Sequence, residues 1–251
     1  MRSATKLAVE AHLPAENVAW TYFTLGEQLF QFGKLKDAEA AMIEALDAYP
    51  NYHRALAGMG QIRAAQQRFS EAAGFYKQAE DVVPLPIYAA ALGDLHRKMG
   101  KGADAEKQYA LVEFIGQLSA IHKQVYNREL ALFYADHDRH LGDALELARK
   151  ELELRHDVYT WDALAWALLK NGKVAEARDP MAKALALGTR DPLLFFHAAA
   201  LEHASGNSTR CAEYARRALE LNPEFHVIYA QQARDWASPA GHEAVTAYAA
   251  R

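Results

Sequence analysis

Small residues recur along this chain at nearly fixed intervals. Ala38 is followed by Ala72 after 34 residues, Ala105 after a further 33, Ala144 after 39, Ala177 after 33 and Cys211 after 34. The surroundings of each anchor repeat in kind. Four positions on stand Met42, Tyr76, Tyr109, Ala148, Met181 and Ala215; seven positions on stand Ala45, Ala79, Ala184 and Ala218. Offsets of four and seven share one face of an α-helix, so each anchor predicts a helix with a small-sided buried stripe. Twelve positions on, Pro50, Pro84 and Pro223 end three of these helices. Proline lacks the N–H that a continuing helix needs and restricts the residue before it.

A second periodic run lies upstream of each anchor. Leu25-Gly26, Met59-Gly60, Leu92-Gly93, Leu130-Ala131, Leu164-Ala165 and Ala198-Ala199 occupy matching places. A bulky residue beside a very small one lets a second helix approach closely. Between the two runs fall Gly33, Gln67, Gly100, Gly142, Gly172 and Gly206, which read as turn residues. Each unit is therefore helix, short turn, helix and break, with the period near 34 of a two-helix repeat. Runs rich in Val, Ile and Thr, the signature of strands, are scarce.

The residues carry a resemblance. Tyr22, Leu25, Gly26, Leu29, Gly33, Ala38, Met42, Ala45 and Pro50 follow the order W-x2-L-G-x2-Y, A-x3-F, A, P; so do Trp161, Leu164, Ala165, Leu168, Gly172, Ala177, Met181 and Ala184. In this the chain resembles the tetratricopeptide repeat family, from about residue 19 to 223. The resemblance implies an all-α fold, a right-handed superhelical solenoid of antiparallel helix pairs. It implies about six repeats, at 19–52, 53–85, 86–120, 124–157, 158–191 and 192–224, within a single array over 1–251. A capping helix over 225–236 is expected to turn Phe225, Ile228, Tyr229 and Trp236 inward. The 39-residue gap departs from the pattern. The second helix of the third repeat runs on through Gln117, the turn at 136–143 is one residue longer than its counterparts, and an irregular seam is expected at 117–128. Two subdomains, 19–120 and 121–236, are one consequence. At the other end, 6–13 followed by Pro14 reads either as a cap on the first repeat or as the closing half of an earlier hairpin in a longer chain.

Composition narrows the function classes. The net charge of −4, with no run of five basic residues, offers no basic face for nucleic acid. The longest apolar stretches, such as 192–201, are too short to span a bilayer. The first thirteen residues include Arg2, Lys6, Glu10 and His12 and so lack the apolar core of a signal peptide. The chain reads as soluble, in the cytoplasm, or in the periplasm or outside the cell if a signal has been removed, with homo-oligomerisation left open. Its lone cysteine, Cys211, cannot form an internal disulfide and reads as a small buried residue.

Candidate chemistry is sparse. No G-x-S-x-G, H-E-x-x-H or C-x-x-C motif occurs. Gly100-Lys101-Gly102 falls in a turn without the rest of a phosphate-binding loop. Asp136, His137, Asp138 and His140 cluster, but a structural metal site needs about four ligands in fixed geometry, and a solvated turn explains them better. No catalytic residue, metal or cofactor is expected, and the chain reads as a non-enzyme.

Binding is what the resemblance implies instead. The family's first helices line a concave side, and its exposed positions fall on Trp20, Phe23, Glu27, Phe30, Arg54, Gln61, Asp94, Arg97, Arg128, Tyr159, Asp162, Trp166, Lys170, Phe196, His197 and His203. The expected function is a non-catalytic scaffold that holds a peptide or partner protein in this groove. The alternative is the docking module of a larger multidomain protein or membrane-associated assembly. Members that clamp a peptide carboxylate use Lys and Asn; Phe23 and Glu27 stand at the matching places here and lack that chemistry.

Overall fold

Residues 2–121 and 127–238 are described in a computed structural model of the chain, and the described residues form fourteen α-helices and no strand. In order these are α1 (Arg2–Glu10), α2 (Ala15–Gln31), α3 (Leu35–Ala48), α4 (His53–Ala65), α5 (Phe69–Val82), α6 (Pro86–Lys98), α7 (Gly102–Ile121), α8 (Asn127–Asp136), α9 (Leu141–Leu154), α10 (Val158–Lys170), α11 (Val174–Leu185), α12 (Pro192–Ala204), α13 (Ser208–Leu221) and α14 (Tyr229–Ala237). The chain divides into two compact units, Met1–Ile115 and Gly116–Arg251. The division falls inside α7. Of the seam expected at 117–128, residues 122–126 lie outside the described residues.

The turns set the hairpins. Gly33, Gln67, Gly100, Gly172 and Gly206 all have φ between +59° and +75°. This left-handed conformation lets the next N–H reach back five residues and close the helix end: Lys34 N–H donates to Leu29 O at 2.9 Å, and Lys101 to His96 O at 2.8 Å. Gly142 does not play this part. It lies within α9, and Asp138 and His140 supply the positive φ, at +53° and +44°. The additional turn residue gives two left-handed positions where the other turns have one.

Packing follows the anchors. Ala38, Ala72, Ala105, Ala144 and Ala177 are fully buried and Cys211 nearly so. Each lets the second helix of a hairpin lie close against the first. In unit 1 the bulkier residue four positions later crosses to the first helix over its glycine. A Cβ on Gly60 would stand 2.7 Å from the Tyr76 ring, and one on Gly93 the same distance from Cδ1 of Tyr109. The glycine is therefore a gap that an aromatic ring fills. Unit 2 has alanine there, and its core runs from Ala131 through Trp166 and Phe196 to Tyr229 and Ala233.

At the end of unit 2, α14 starts four residues later than the sequence suggests. Residues 223–228 form turns before it. Phe225 and Tyr229 are buried, but Ile228, expected inward, is exposed. It falls in the turn preceding α14, where the helix register that would have turned it inward has not begun.

Candidate functional site

The first helices of unit 1 carry an open polar surface. Trp20 on α2 is 54% exposed. Glu27 on the same helix is open to water, yet burial among its neighbours raises its carboxyl pKa, and Arg54 on α4 lowers it only in part. Tyr88 lines the same neighbourhood: burial pushes its hydroxyl up to about 12, with Arg54, Tyr52 and Glu27 in electrostatic reach. Its hydroxyl lies 2.7 Å from His53 Nδ1. Tyr76, raised by burial, feels Asp94, Tyr88 and Glu27. Tyr109 donates to Asp94 Oδ1 at 2.9 Å, and Arg97 lies 5.1 Å over the Tyr109 ring while pairing with Glu106 at 3.3 Å. Gln61 is half-buried on α4. Glu27, Arg54, Asp94 and Arg97 thus share one neighbourhood with a group of tyrosines whose hydroxyls are largely held by desolvation.

Unit 2 is different. Trp166, Asp162 and His197, read from sequence as exposed groove residues, are 4%, 6% and 1% accessible. Their cover is the protein itself. Trp166 Nε1 donates to Asp136 Oδ1 at 2.7 Å, and the Tyr229 hydroxyl donates to the same oxygen at 2.7 Å. The indole stacks on the His197 ring at 4.2 Å and 12°. His197 Nδ1 lies 3.0 and 2.9 Å from the two Asp162 oxygens, while its Nε2 is buried without a hydrogen-bond partner. Burial alone would lower the His197 pKa, but Asp162, with Asp136 and Asp191 behind it, outweighs burial and the net shift is upward. Phe196, also read as exposed, packs against Tyr229 at 4.4 Å and Trp236 at 5.3 Å. In unit 1, Phe23 and Phe30 are likewise core rather than surface. A Trp166→Ala exchange would therefore report on folding before it reported on binding.

The remaining candidates scatter. Lys170 reaches Asp138 at 2.6 Å. His203 is exposed and stacks on Trp236 at 4.9 Å. Tyr159 is exposed, with Asp191 and Arg128 in electrostatic reach, and Arg128 pairs with its neighbour Glu129 at 3.6 Å. Tyr159 also borders a recess of about 420 Å³ with Asp157, Trp161, Lys183 and Leu187. The cluster at 136–140 is dispersed among protein partners. His137 Nδ1 lies 2.7 Å from Phe133 O, His140 packs on Tyr134, Asp138 takes Lys170, and Asp136 takes Trp166 and Tyr229.

Periodicity missed Asp136, Asp191 and Tyr229 as partners in one polar network. Asp191 had a legible signal: an acidic residue before proline and an apolar run is a helix N-cap, and it accepts from Leu193 and Leu194 N–H at 2.8 and 3.2 Å. The Tyr229–Asp136 bond joins residues 93 apart and had none. Among the described residues no helix is long and apolar enough to cross a membrane.

Residues 23–84 match the family model of the tetratricopeptide repeat. Among solved structures, the chain is similar to one in the crystal structure of the APC/C hetero-tetramer Cut9–Hcn1. That match has a TM-score of 0.51 and 18% identity, and covers 94% of this chain and 45% of that one. The present chain thus spans less than half the length of that relative. PilF of Pseudomonas aeruginosa aligns at 17% identity over 88% of this chain and 99% of its own, with a TM-score of 0.43. A tetratricopeptide repeat protein from Parabacteroides merdae aligns at 16% identity over 91% and 97%, with a TM-score of 0.44. At these identities the likeness is one of fold, and the Cut9–Hcn1 match carries it. No curated protein matches by sequence.

Proposed function

We propose that this tetratricopeptide-type array is a non-catalytic scaffold whose primary docking surface is the first-helix face of unit 1, where it holds an extended segment or a helix of a partner protein. The carrying observation is the water-accessible first-helix face itself: Trp20, Glu27, Arg54 and Arg97 are all exposed, with Arg54 in electrostatic reach of Glu27. Aromatic and arginine side chains on one accessible face are the groups that most often carry binding energy. Asp94 and Arg97 extend the surface along α6, and the tyrosines beside them add rigid aromatic area with polar edges. Trp20 adds an accessible indole on α2. The mixture of both charge signs favours a partner segment that carries both, over a uniformly acidic or basic one. In unit 2 the exposed candidates are Tyr159 and His203, and the aromatic centre is already filled.

The test compares wild type with Glu27→Gln and Arg97→Ala in affinity capture from cells that express the protein, with captured proteins identified by mass spectrometry. Circular dichroism checks that both exchanges leave the helices intact. The reading expects a partner retained by wild type to be depleted at least several-fold by each variant. Equal capture by all three proteins would refute the surface.

A further inference from the structure

The segment after α13 does more than close the end of unit 2. A terminal cap needs only to cover the last hairpin, α12 and α13. Tyr229 instead reaches back past α10 to Asp136 on α8, two hairpins earlier. On the way its ring packs against Phe196 at 4.4 Å and lies 5.9 Å edge-on to Trp166. The side chain therefore lies across the first helices α8, α10 and α12, where the equivalent face of unit 1 is open. Trp236 adds a second ring against Phe196 at 5.3 Å.

Two features suit this segment to leave and return. First, part of its polar bonding is internal: Arg234 bonds Glu224 at 3.1 Å and Gln231 bonds Asp235 at 2.9 Å, and these bonds travel with the segment. Arg234 to Pro223 O at 2.8 Å and Glu224 N–H to Asn222 Oδ1 at 2.9 Å lie at the hinge. Second, Asp136 Oδ1 accepts from both Trp166 and Tyr229, so the loss of Tyr229 leaves the carboxylate bonded. The apolar side differs. Phe196 and Trp166 are buried by the segment's rings, and baring them to water is costly. Opening is thus favourable only when another aromatic segment takes the place.

We propose that residues 224–238 are an exchangeable occupant of the first-helix face of unit 2, and that a partner segment docks there by replacing them. The occupant defines the chemistry of the replacement: an aromatic ring set against Phe196 and Trp166, with a hydrogen-bond donor at its edge directed to Asp136. This rests on the reading of the first-helix face as the docking side, and it adds a second site guarded in cis.

The test uses the full chain and a fluorescent synthetic peptide of residues 223–238 as probe, read by anisotropy. Wild type binds the probe weakly, because its own segment competes. Tyr229→Phe in the chain keeps the ring and removes the donor, which weakens the resident segment. A hydrogen bond to a charged group is worth roughly tenfold, so probe affinity is expected to rise about tenfold. Adding Asp136→Asn should largely cancel the gain, because it removes the charge from an acceptor that only the probe's tyrosine can still use. Hydrogen exchange on the wild-type chain supplies a second readout. Exchange over α14 is expected at least tenfold faster than over α12, and faster still with unlabelled peptide present. Equal protection of α14 and α12, or no gain in probe binding for Tyr229→Phe, would overturn the proposal and leave α14 a fixed cap. A concentration-dependent dimer in place of probe capture would assign the occupant to a second copy and overturn exchange in cis. None of these failures bears on Glu27 and Arg97, which belong to unit 1.

Discussion

Gly93→Ala isolates the close approach of first and second helices on which the hairpins depend. A methyl group at Gly93 would stand 2.7 Å from Tyr109 Cδ1 and 3.1 Å from Cζ, with Cε1 nearer still. The ring cannot simply swing aside. Tyr109 is fully buried, and its hydroxyl is held by Asp94 at 2.9 Å. Restoring ordinary contact requires the ring, or α6 itself, to shift by about 1 Å, and overpacking of this kind costs about 1–3 kcal/mol. Against that, Gly→Ala inside a helix gains about 1 kcal/mol. The net expectation is a loss of up to about 2 kcal/mol. Gly74 on α5 is the matched control, because a Cβ there meets nothing within 4 Å. Gly74→Ala should gain close to the full helix-propensity difference of about 1 kcal/mol. Urea unfolding followed by circular dichroism at several temperatures measures both in the same unit. If Gly93→Ala proves as stable as Gly74→Ala, the ring-over-glycine account of unit 1 is wrong.

Gln67 occupies the left-handed turn position that glycine holds in four other turns, at φ +59°. Gln67→Gly should therefore stabilise unit 1 by about 0.5–1 kcal/mol in the same unfolding assay. Ala177→Asp places a charge at a fully buried helix contact and should cost about 3 kcal/mol or more, visible as a lowered melting temperature. The His197–Asp162 pair gives unit 2 a pH dependence. Its folded pKa lies above the unfolded value of about 6.5, so its contribution is complete below that pH and fades as pH rises through the folded value. The urea midpoint of unit 2, followed by tryptophan fluorescence, should fall as pH rises above about 6.5 in wild type and fall less in His197→Gln.

Spacing made the hairpins legible because one buried small residue per repeat is a local demand, renewed every 33 to 39 residues. Ala38 to Cys211 could be read in order, and the turn glycines with them. The fourth turn was misread for a local reason: a glycine stood nearby, and nothing in the pattern said that Asp138 and His140 would take its conformation. The site was legible only where the face stays open. Glu27, Arg54 and Arg97 lie at water-accessible places that phase alone assigns. Trp166 and His197 occupy equivalent phases and are buried where Tyr229 arrives from 93 residues beyond Asp136, and Asp162 is buried against His197. A repeat pattern describes what each hairpin offers its neighbours and carries no record of a segment that folds back over several of them.

Cys211 turns unit 2 into its own clock. The thiol is the only one in the chain, is 1% exposed, and is held up to about 12 by burial, with Glu202 adding to the shift. A thiol-specific reagent at neutral pH finds no thiolate to attack until the contact between α12 and α13 opens. With enough reagent to outpace reclosing, its rate of reaction counts openings of the last hairpin in unmodified protein, one event per molecule, with unit 1 silent throughout. If the segment at 224–238 leaves without loosening that hairpin, a peptide that displaces it will change the exchange of α14 and leave the thiol rate where it was.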